Sequence, residues 1–400
     1  MRRKPNYEEA LRSGLADAER DLARRLPAEE VGELCDRLED LSPAHRSLRL
    51  RNAGGLVGLE LVGELIRRAK SSVHEGASEA RRRARLAADA AGCLRVSRKH
   101  RAMLADLRAE AGSFVANAAR LDDDWCEAQA AWQTVSANLL KGSGDPILAA
   151  ELAERRAALL TDQRRLDDAR ALLRSSADLY RRLGETQRLG RCHLRLFRAS
   201  YFDSHLKACL EYAWSAVEAL DPREEPKLSL LAMLYVSGTL GELGQARDGY
   251  RLLRSAWSQF EAAQDAWLFQ GARWTRGRLA SDLGKLRTAE KMLSGVRNEF
   301  LDSRQRLEAA LVSLDLALVY ARRDWPEPQR RLADETAPIF QALHLERETL
   351  AACLLYVDAA HRQAVTVTLV EDVLRRLEPM RRGGAVARRP IEEPEAGEPG

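Results

Sequence analysis

A single carboxylate, Asp315, interrupts the apolar run VSLDLALVYAR at residues 312–322. On a helix, the side chains three and four positions away share its face, and all four are apolar: Leu311, Val312, Leu318 and Val319. A carboxylate in such surroundings could be a catalytic acid, a charge that binds a ligand, or a structural hydrogen-bond acceptor. We predict that no second acid, histidine or nucleophile shares the repeat face of Asp315. Acid–base catalysis would then lack the second catalytic group that it needs.

The other residue types that carry chemistry lack the necessary spacing. The sequence has no Gly-x-x-x-x-Gly-Lys-Ser/Thr loop, no Gly-x-Gly-x-x-Gly after a strand and no Gly-x-Ser-x-Gly elbow. Its histidines never form His-x-x-x-His, and its cysteines never form Cys-x-x-Cys. Cys192 and His193 are adjacent, but neighbouring helical side chains point about 100° apart, which disfavours a shared metal. We therefore predict no catalytic residue, no metal site and no cofactor, and a protein that is not an enzyme.

Composition excludes several other classes of protein. The chain has 400 residues, 45% of them hydrophobic and 31% charged, with a formal net charge of +4. Such a balance supports a substantial core and is not typical of a general nucleic-acid-binding protein. No apolar stretch reaches the roughly 18 residues of a membrane span, and the N-terminus lacks a secretory signal. Scattered cysteines fit a reducing compartment. These features predict a cytoplasmic protein without membrane contact.

A period of 40 residues organises most of the chain. Two registers hold large apolar residues, and one holds small residues: Tyr180, Leu220, Phe260, Phe300 and Phe340; Leu172, Tyr212, Leu252, Met292 and Leu332; Ala169, Cys209, Gly249 and Ala289. Each period contains two amphipathic helical patterns. Units begin near Asp145, Glu185, Glu225, Asp265 and Gln305, since acidic residues suit helix N-termini. One helical hairpin cannot bury its own apolar face, so the pattern predicts a stacked solenoid with a concave surface.

The turns between paired helices resemble those of the tetratricopeptide repeat (TPR). LGELGQARDG (240–249) and LASDLGKLRTA (279–289) carry the family's Leu-Gly turn and a small residue early in the second helix. DWCEAQAAW (124–132) is similar to the family's Asp-aromatic-x-Glu-Ala phrase. Departures are the period of 40 instead of about 34 and Phe197, which stands where the family has a small residue. The resemblance implies an all-α, right-handed αα solenoid of TPR-like hairpins.

The pattern divides the chain into five segments. We predict an N-terminal helical segment over residues 1–55 and a basic helical hairpin, capping the array, over 56–98. The TPR-like array occupies 99–344, and C-terminal capping helices follow over 345–380. Residues 381–400 are rich in proline, glycine and charge, which predicts disorder.

Aligning the repeats by their turns places Asp315 in the first helix of the fifth unit. Its counterparts all carry a polar group: Arg155, Arg195, Tyr235 and Thr275. In the TPR family this position often holds an asparagine that bonds to the backbone. Because a buried, unpaired charge is strongly destabilising, we predict that Asp315 is a structural residue, paired with a backbone N–H or with Arg276 or Arg278. Asp315→Leu should then destabilise the C-terminal repeats, whereas Asp315→Asn should be mild.

The concave surface is the predicted binding site. By analogy with the family, two positions one turn apart in each first helix face it: Glu154 with Ala158, Leu194 with Arg198, Leu234 with Gly238, Trp274 with Arg278, and Leu314 with Leu318. Trp274, Arg278 and Arg198 could hold a carboxylate or an acidic peptide, with Tyr201 and Phe202 adding apolar surface. The alternative is that Trp274 belongs to the inter-repeat core and Arg278 pairs with Asp282.

Two classes of function follow from this interpretation. The first is a non-enzymatic interaction scaffold or adaptor, binding a protein or peptide segment in the concave groove. The resemblance extends to long TPR proteins of GC-rich bacteria, which implies a regulatory role and a bacterial source. The alternative is a nucleic-acid-associated regulator, because residues 67–108 contain twelve basic residues and only four acidic ones. A small-molecule sensor is a third hypothesis. We expect a monomer.

Overall fold

The described part of the chain is all-α. In the computed structural model it comprises residues 28–52, 58–72, 76–343 and 345–383, which form nineteen α-helices and one short 3-10 helix and contain no β-strand. None of these helices is both long and apolar enough to cross a membrane. Residues 1–27 of the predicted N-terminal segment and 384–400 of the predicted disordered tail lie outside the described residues. The chain divides into two compact units, with the boundary between Gln163 and Arg164.

The first unit contains seven of the described helices: α1 (Ala28–Glu39), α2 (Pro43–Asn52), α3 (Leu59–Ser71), α4 (Ala77–Cys93), α5 (Arg101–Leu121), α6 (Trp125–Leu139) and α7 (Pro146–Asp162). Its core lies among α1 to α5 and includes Leu61, Leu65 and Leu86. A second apolar cluster, around Trp132, joins α5, α6 and α7.

The second unit contains twelve described helices, each packed against the next: α8 (Leu166–Leu183), α9 (Thr186–Tyr201), α10 (Leu206–Ala219), α11 (Pro226–Glu242), α12 (Ala246–Ser255), α13 (Trp257–Ala262), α14 (Ala266–Asp282), α15 (Leu286–Asp302), α16 (Arg306–Arg322), α17 (Pro326–Ala342), α18 (Arg347–His361) and α19 (Val367–Gly383). After α8, the helices form hairpins. We call α9, α11, α14 and α16 the first helices of the four hairpins that precede α18.

Helix starts follow the predicted unit starts. The N-cap residues of α7, α9, α11, α14 and α16 are Asp145, Glu185, Glu225, Asp265 and Gln305. The side chain of Asp265 accepts a hydrogen bond of 3.0 Å from the backbone N–H of Leu268. Such a carboxylate satisfies an unpaired N–H and interacts favourably with the positive end of the helix dipole.

The turns inside the four hairpins that precede α18 each contain a residue with left-handed backbone conformation. Gly244 (φ 79°) and Gly284 (φ 69°) occupy two of them, as the sequence predicts, because glycine has no Cβ to oppose it. Ser204 (φ 60°) and Asp324 (φ 50°) occupy the same place in the neighbouring repeats. In each turn the following residue donates its N–H to the carbonyl five positions earlier, at 2.8–3.2 Å, which closes the helix end.

Equivalent positions of the 40-residue period have equivalent surroundings. The large register, Tyr180, Leu220, Phe260, Phe300 and Phe340, is buried throughout. The small register is buried as well where it carries a Cβ, and at Gly249 an added Cβ would lie 2.5 Å from the carbonyl oxygen of Ser237. Second helices therefore press against first-helix backbone at this register. The predicted array of stacked helical hairpins is confirmed.

The last hairpin packs differently from those before it. In the preceding repeats a first helix contacts the next first helix, as α11 contacts α14. Here α18 packs on α17, while its partner α19 packs on α16. Helix α19 also continues to Gly383, past residue 380, where the predicted capping segment ends. The C-terminal turn of α19 therefore belongs to the same side of the second unit as the first helices.

Candidate functional site

A cavity of about 120 Å³ lies on the four first helices of the second unit. Its wall contains all four residues that the sequence predicts for a binding groove, Arg198 and Tyr201 on α9 and Trp274 and Arg278 on α14. Helices α11 and α16 supply further lining residues, and α19 supplies Arg381. We call this cavity with its lining residues the groove.

The predicted concave positions divide between the groove and the core. Leu234 and Gly238 line the groove, and Leu234 and Trp274 belong at the same time to the apolar core of the second unit, as the alternative predicts for Trp274. Leu194 and Leu314 are instead fully buried in the apolar core of the second unit. Glu154 and Ala158 lie on α7, in the first unit. Of the five predicted pairs, those on α11 and α14 line the cavity with both members, and the pair on α9 does so with Arg198 alone.

Asp315 is a buried hydrogen-bond acceptor at the edge of the groove. One of its carboxylate oxygens lies 2.7 Å from the Trp274 indole nitrogen and 2.7 Å from a guanidinium nitrogen of Arg381. The Nε of Arg278 lies 3.9 Å from its other oxygen. The predicted partner Arg278 is thus present, but the two short bonds come from Trp274 and Arg381. Arg276, the other predicted partner, instead lies over the Trp257 ring.

A second aromatic–carboxylate pair lies across the groove. The Tyr201 hydroxyl donates to a carboxylate oxygen of Glu242 at 2.7 Å. Burial raises the pKa of Tyr201 well above its ordinary value, and Glu242 raises it further, so this hydroxyl stays protonated. Behind Tyr201 the rings of Phe197 and Tyr235 stack with their centres 4.1 Å apart. These two stacked rings lie behind Tyr201 and therefore limit the directions in which its hydroxyl can point.

Arg278 does not make the alternative ion pair with Asp282. Asp282 pairs with Arg322, at 3.1 Å, and leaves Arg278 facing the groove. Burial lowers the pKa of Arg278, but Asp315 and then Glu242 raise it by more, so the guanidinium stays charged. The groove consequently contains both signs of charge in a largely desolvated space.

Among the groove-associated residues that were not predicted are Glu242, Arg381 and Arg382. Glu242 lies in the LGELG turn phrase, where it reads as an ordinary surface residue. Arg381 and Arg382 fall at the start of the predicted disordered tail, yet they are helical and their side chains are only 10% and 11% exposed. A composition rich in proline, glycine and charge describes the tail as a whole and says nothing about its first three residues.

Comparison with known proteins identifies the fold. The apo form of RapI matches with a TM-score of 0.61 and 11% identity, over 79% of this chain and 86% of that one. A Rap protein complexed with Competence and Sporulation Factor matches at 0.54 and 11%, over 81% and 88%. A STAND protein with a tetratricopeptide repeat sensor from Pyrococcus horikoshii matches at 0.60 and 14%, over 85% of this chain and 50% of that one. The chain has a TPR-like helical repeat fold. No protein-family model and no curated protein matches the sequence significantly.

The described residues contain no candidate metal cluster, and several of their cysteines are buried. No group of three or more histidine, cysteine or acidic side chains there is arranged to hold a metal ion. Burial raises the pKa of the Cys35 thiol to about 11 and those of Cys209 and Cys353 to about 12, so these thiols are poor nucleophiles at neutral pH.

Many basic side chains of residues 67–108 are bound to carboxylates of the first unit. At least six of the twelve form ion pairs: Arg67, Arg68, Arg81, Arg82, Arg83 and Arg85. Glu39 of α1 alone lies within 3.3 Å of three of them. Glu39 lies outside residues 67–108 in the sequence, so a count of charges within that stretch does not include it. These pairs reduce the positive charge that the region offers to phosphates.

Proposed function

We propose that this protein is a non-enzymatic regulatory scaffold that binds a segment of a partner protein in the groove, in the cytoplasm and as a monomer. Arg198, Tyr201, Trp274 and Arg278 are the proposed partner-binding residues. The observation that carries the proposal is the groove itself, because successive repeats bring four predicted side chains to one cavity. Among the described residues, this cavity brings together more of the predicted binding side chains than any other feature of the repeats.

The composition of the groove suits a peptide segment. Tyrosine, tryptophan and arginine supply much of the binding energy at protein interfaces. Leu234 and Leu311 add apolar wall beside the polar tips of Tyr201 and Trp274. Concave sites that combine apolar walls with a few oriented polar groups are typical of ligand recognition. The description of one structural relative as complexed with Competence and Sporulation Factor, and of another as a sensor, supports a binding role.

Gly238→Phe tests the proposal because it fills the groove with little disturbance of the fold. A Cβ at Gly238 would meet only the Thr275 methyl group, at 3.8 Å, so the added ring has room to enter the cavity. The matched control is Gly63→Phe, on α3 of the first unit, where a Cβ would have no neighbour within 4 Å. Both variants replace a helical glycine, and circular dichroism checks that both fold.

The assay is capture of partners from the native cytosol, with and without nuclease, by wild type and both variants. We expect a defined protein partner that wild type and Gly63→Phe retain and that Gly238→Phe loses. If Gly238→Phe captures the partner as strongly as the control variant does, the groove is not the binding site. Nuclease-sensitive capture that weakens steeply with added salt would support the nucleic-acid alternative instead.

A further inference from the structure

The end of α19 enters the groove from the C-terminal side. Helix α19 packs along α16, and its last turn brings Arg381 and Arg382 to the first helices. Arg381 lines the groove, and Arg382 donates a hydrogen bond to the Ser204 hydroxyl in the turn after α9. Residues 178 positions apart in sequence therefore meet across the repeats.

Besides Glu378 of α19 itself, at 3.5 Å from Arg381 and 3.2 Å from Arg382, each of the two arginines has a carboxylate and an aromatic ring of the repeats as its partners. Arg381 binds Asp315 at 2.7 Å, and its guanidinium carbon lies 5.5 Å from the centre of the Trp274 ring. Arg382 has a nitrogen 3.7 Å from a Glu242 oxygen, with its guanidinium carbon 5.0 Å from the centre of the Tyr201 ring. A carboxylate beside an aromatic face binds a guanidinium better than it binds an ammonium group.

The carboxylates are held in place by the groove and not by the arginines alone. Trp274 and Tyr201 donate to Asp315 and Glu242 from the repeats themselves. The pairs Arg381–Asp315 and Arg382–Glu242 thus occupy two sites whose acceptors are already oriented. Without α19, three carboxylates (Glu242, Glu308 and Asp315) face two guanidiniums (Arg198 and Arg278), an excess of one negative charge. An excess of negative charge favours a basic partner, whereas the sequence suggested a carboxylate or an acidic peptide.

We propose that the groove recognises a partner segment carrying two adjacent arginines, and that Arg381 and Arg382 are an internal competitor for the same two sites. The proposal rests on the proposed groove function and names the partner's chemistry. Because α19 is tethered, its effective concentration at the groove is on the order of millimolar or above, so a partner must outcompete it. Binding of the partner would then release the end of α19 from α9 and α16.

The test uses the chain's own segment as the probe. A dye-labelled peptide LEPMRRG, residues 377–383, is titrated into full-length wild type and into the double variant Arg381→Gln/Arg382→Gln, with fluorescence anisotropy as the readout. We expect the double variant to bind LEPMRRG at least about tenfold more tightly than wild type does, since its sites are vacated. The peptide LEPMQQG should bind the double variant at least about tenfold more weakly than LEPMRRG does. The peptide LEPMKKG should bind it about threefold more weakly than LEPMRRG does.

Two further variants, built on the double variant, locate the site. Glu242→Gln should weaken LEPMRRG binding about tenfold. Glu290→Gln is the control, because Glu290 pairs with Arg323 and does not line the groove. Equal binding of LEPMRRG and LEPMQQG, or equal binding by wild type and the double variant, overturns the arginine proposal.

The two proposals fail in different ways. If LEPMRRG does not discriminate but Gly238→Phe still loses the captured partner, the groove binds something other than adjacent arginines. If Gly238→Phe keeps the partner, the groove function itself is wrong, whatever the peptide does.

Discussion

Asp315 offers the sharpest test of how the groove is held together. Its side chain is 7% exposed, and it accepts two hydrogen bonds of 2.7 Å, from Trp274 and Arg381. Asp315→Leu would leave a buried indole N–H and a nearly buried guanidinium without their acceptor. Removing one partner of a buried ion pair costs about 3–5 kcal/mol, because the other charge stays desolvated.

Asp315→Asn preserves the shape of the side chain and one acceptor oxygen. That oxygen can still accept from Trp274, while the attraction to Arg381 and Arg278 is lost. A neutral hydrogen bond retains part of the stabilisation of a charged one, so we expect a loss of about 1–2 kcal/mol. Leucine should therefore cost at least about 1 kcal/mol more than asparagine.

Urea unfolding followed by circular dichroism measures both losses as changes in the free energy of unfolding. Repeat arrays can lose two-state behaviour, so hydrogen exchange of the α14 and α16 amides provides a local measure. The control is Asp302→Leu, at the exposed end of α15, which should stay within about 0.5 kcal/mol of wild type. Equal losses for leucine and asparagine, or a loss below about 0.5 kcal/mol for both, would refute the pairing.

Three further predictions concern stability in the second unit. Burial lowers the pKa of His193 to about 4 from its ordinary value near 6.5, so the unfolded chain binds the proton first as the pH falls. His193 should then cost up to ~3 kcal/mol of stability between about pH 6.5 and pH 4, a loss that His193→Phe removes from the pH profile of the unfolding free energy. At the left-handed turns, thermal melts should show Gly284→Ala destabilising by ~1 kcal/mol and Asp324→Gly stabilising by up to ~1 kcal/mol. Arg191 and Glu225 form a buried pair at 2.7 Å, so Arg191→Met should lower the free energy of unfolding, measured with urea, by ~3 kcal/mol or more. Adding the substitution Glu225→Leu should largely restore that free energy.

Each of these predictions has an outcome that contradicts it. For His193, the pH profiles of wild type and the phenylalanine variant would coincide. At the turns, the glycine and alanine changes would shift the melting temperature in the same direction. For Arg191, the double variant would be no more stable than the single one, so the two side chains would not be coupled.

The repeat period accounts for most of what could be predicted. Positions 40 apart have the same neighbours because each hairpin packs on an equivalent hairpin, so the burial of Tyr180 and Phe340 follows from the pattern. Bonds between successive first helices obey the same rule: Tyr201–Glu242 and Trp274–Asp315 both join residues 41 apart. The repeat register accordingly predicted a partner of Asp315 in the preceding first helix, although the expected residue was an arginine and the structure shows the tryptophan.

Composition was a weaker guide wherever charges pair over long distances. The excess of basic residues at 67–108 suggested a surface for phosphates, but Glu39 and Glu127 approach that region from helices before and after it. A count within one window cannot include carboxylates that arrive from elsewhere in the fold.

By itself, the sequence determined the helices, their turns and the order in which hairpins stack, because these depend on contacts between neighbouring repeats and repeat with the period. Only the tertiary structure decided where α19 ends. The last described hairpin departs from the series, because α19 packs on α16. Its arginines therefore meet Asp315 and Ser204, which lie 66 and 178 residues away, at separations that no period predicts.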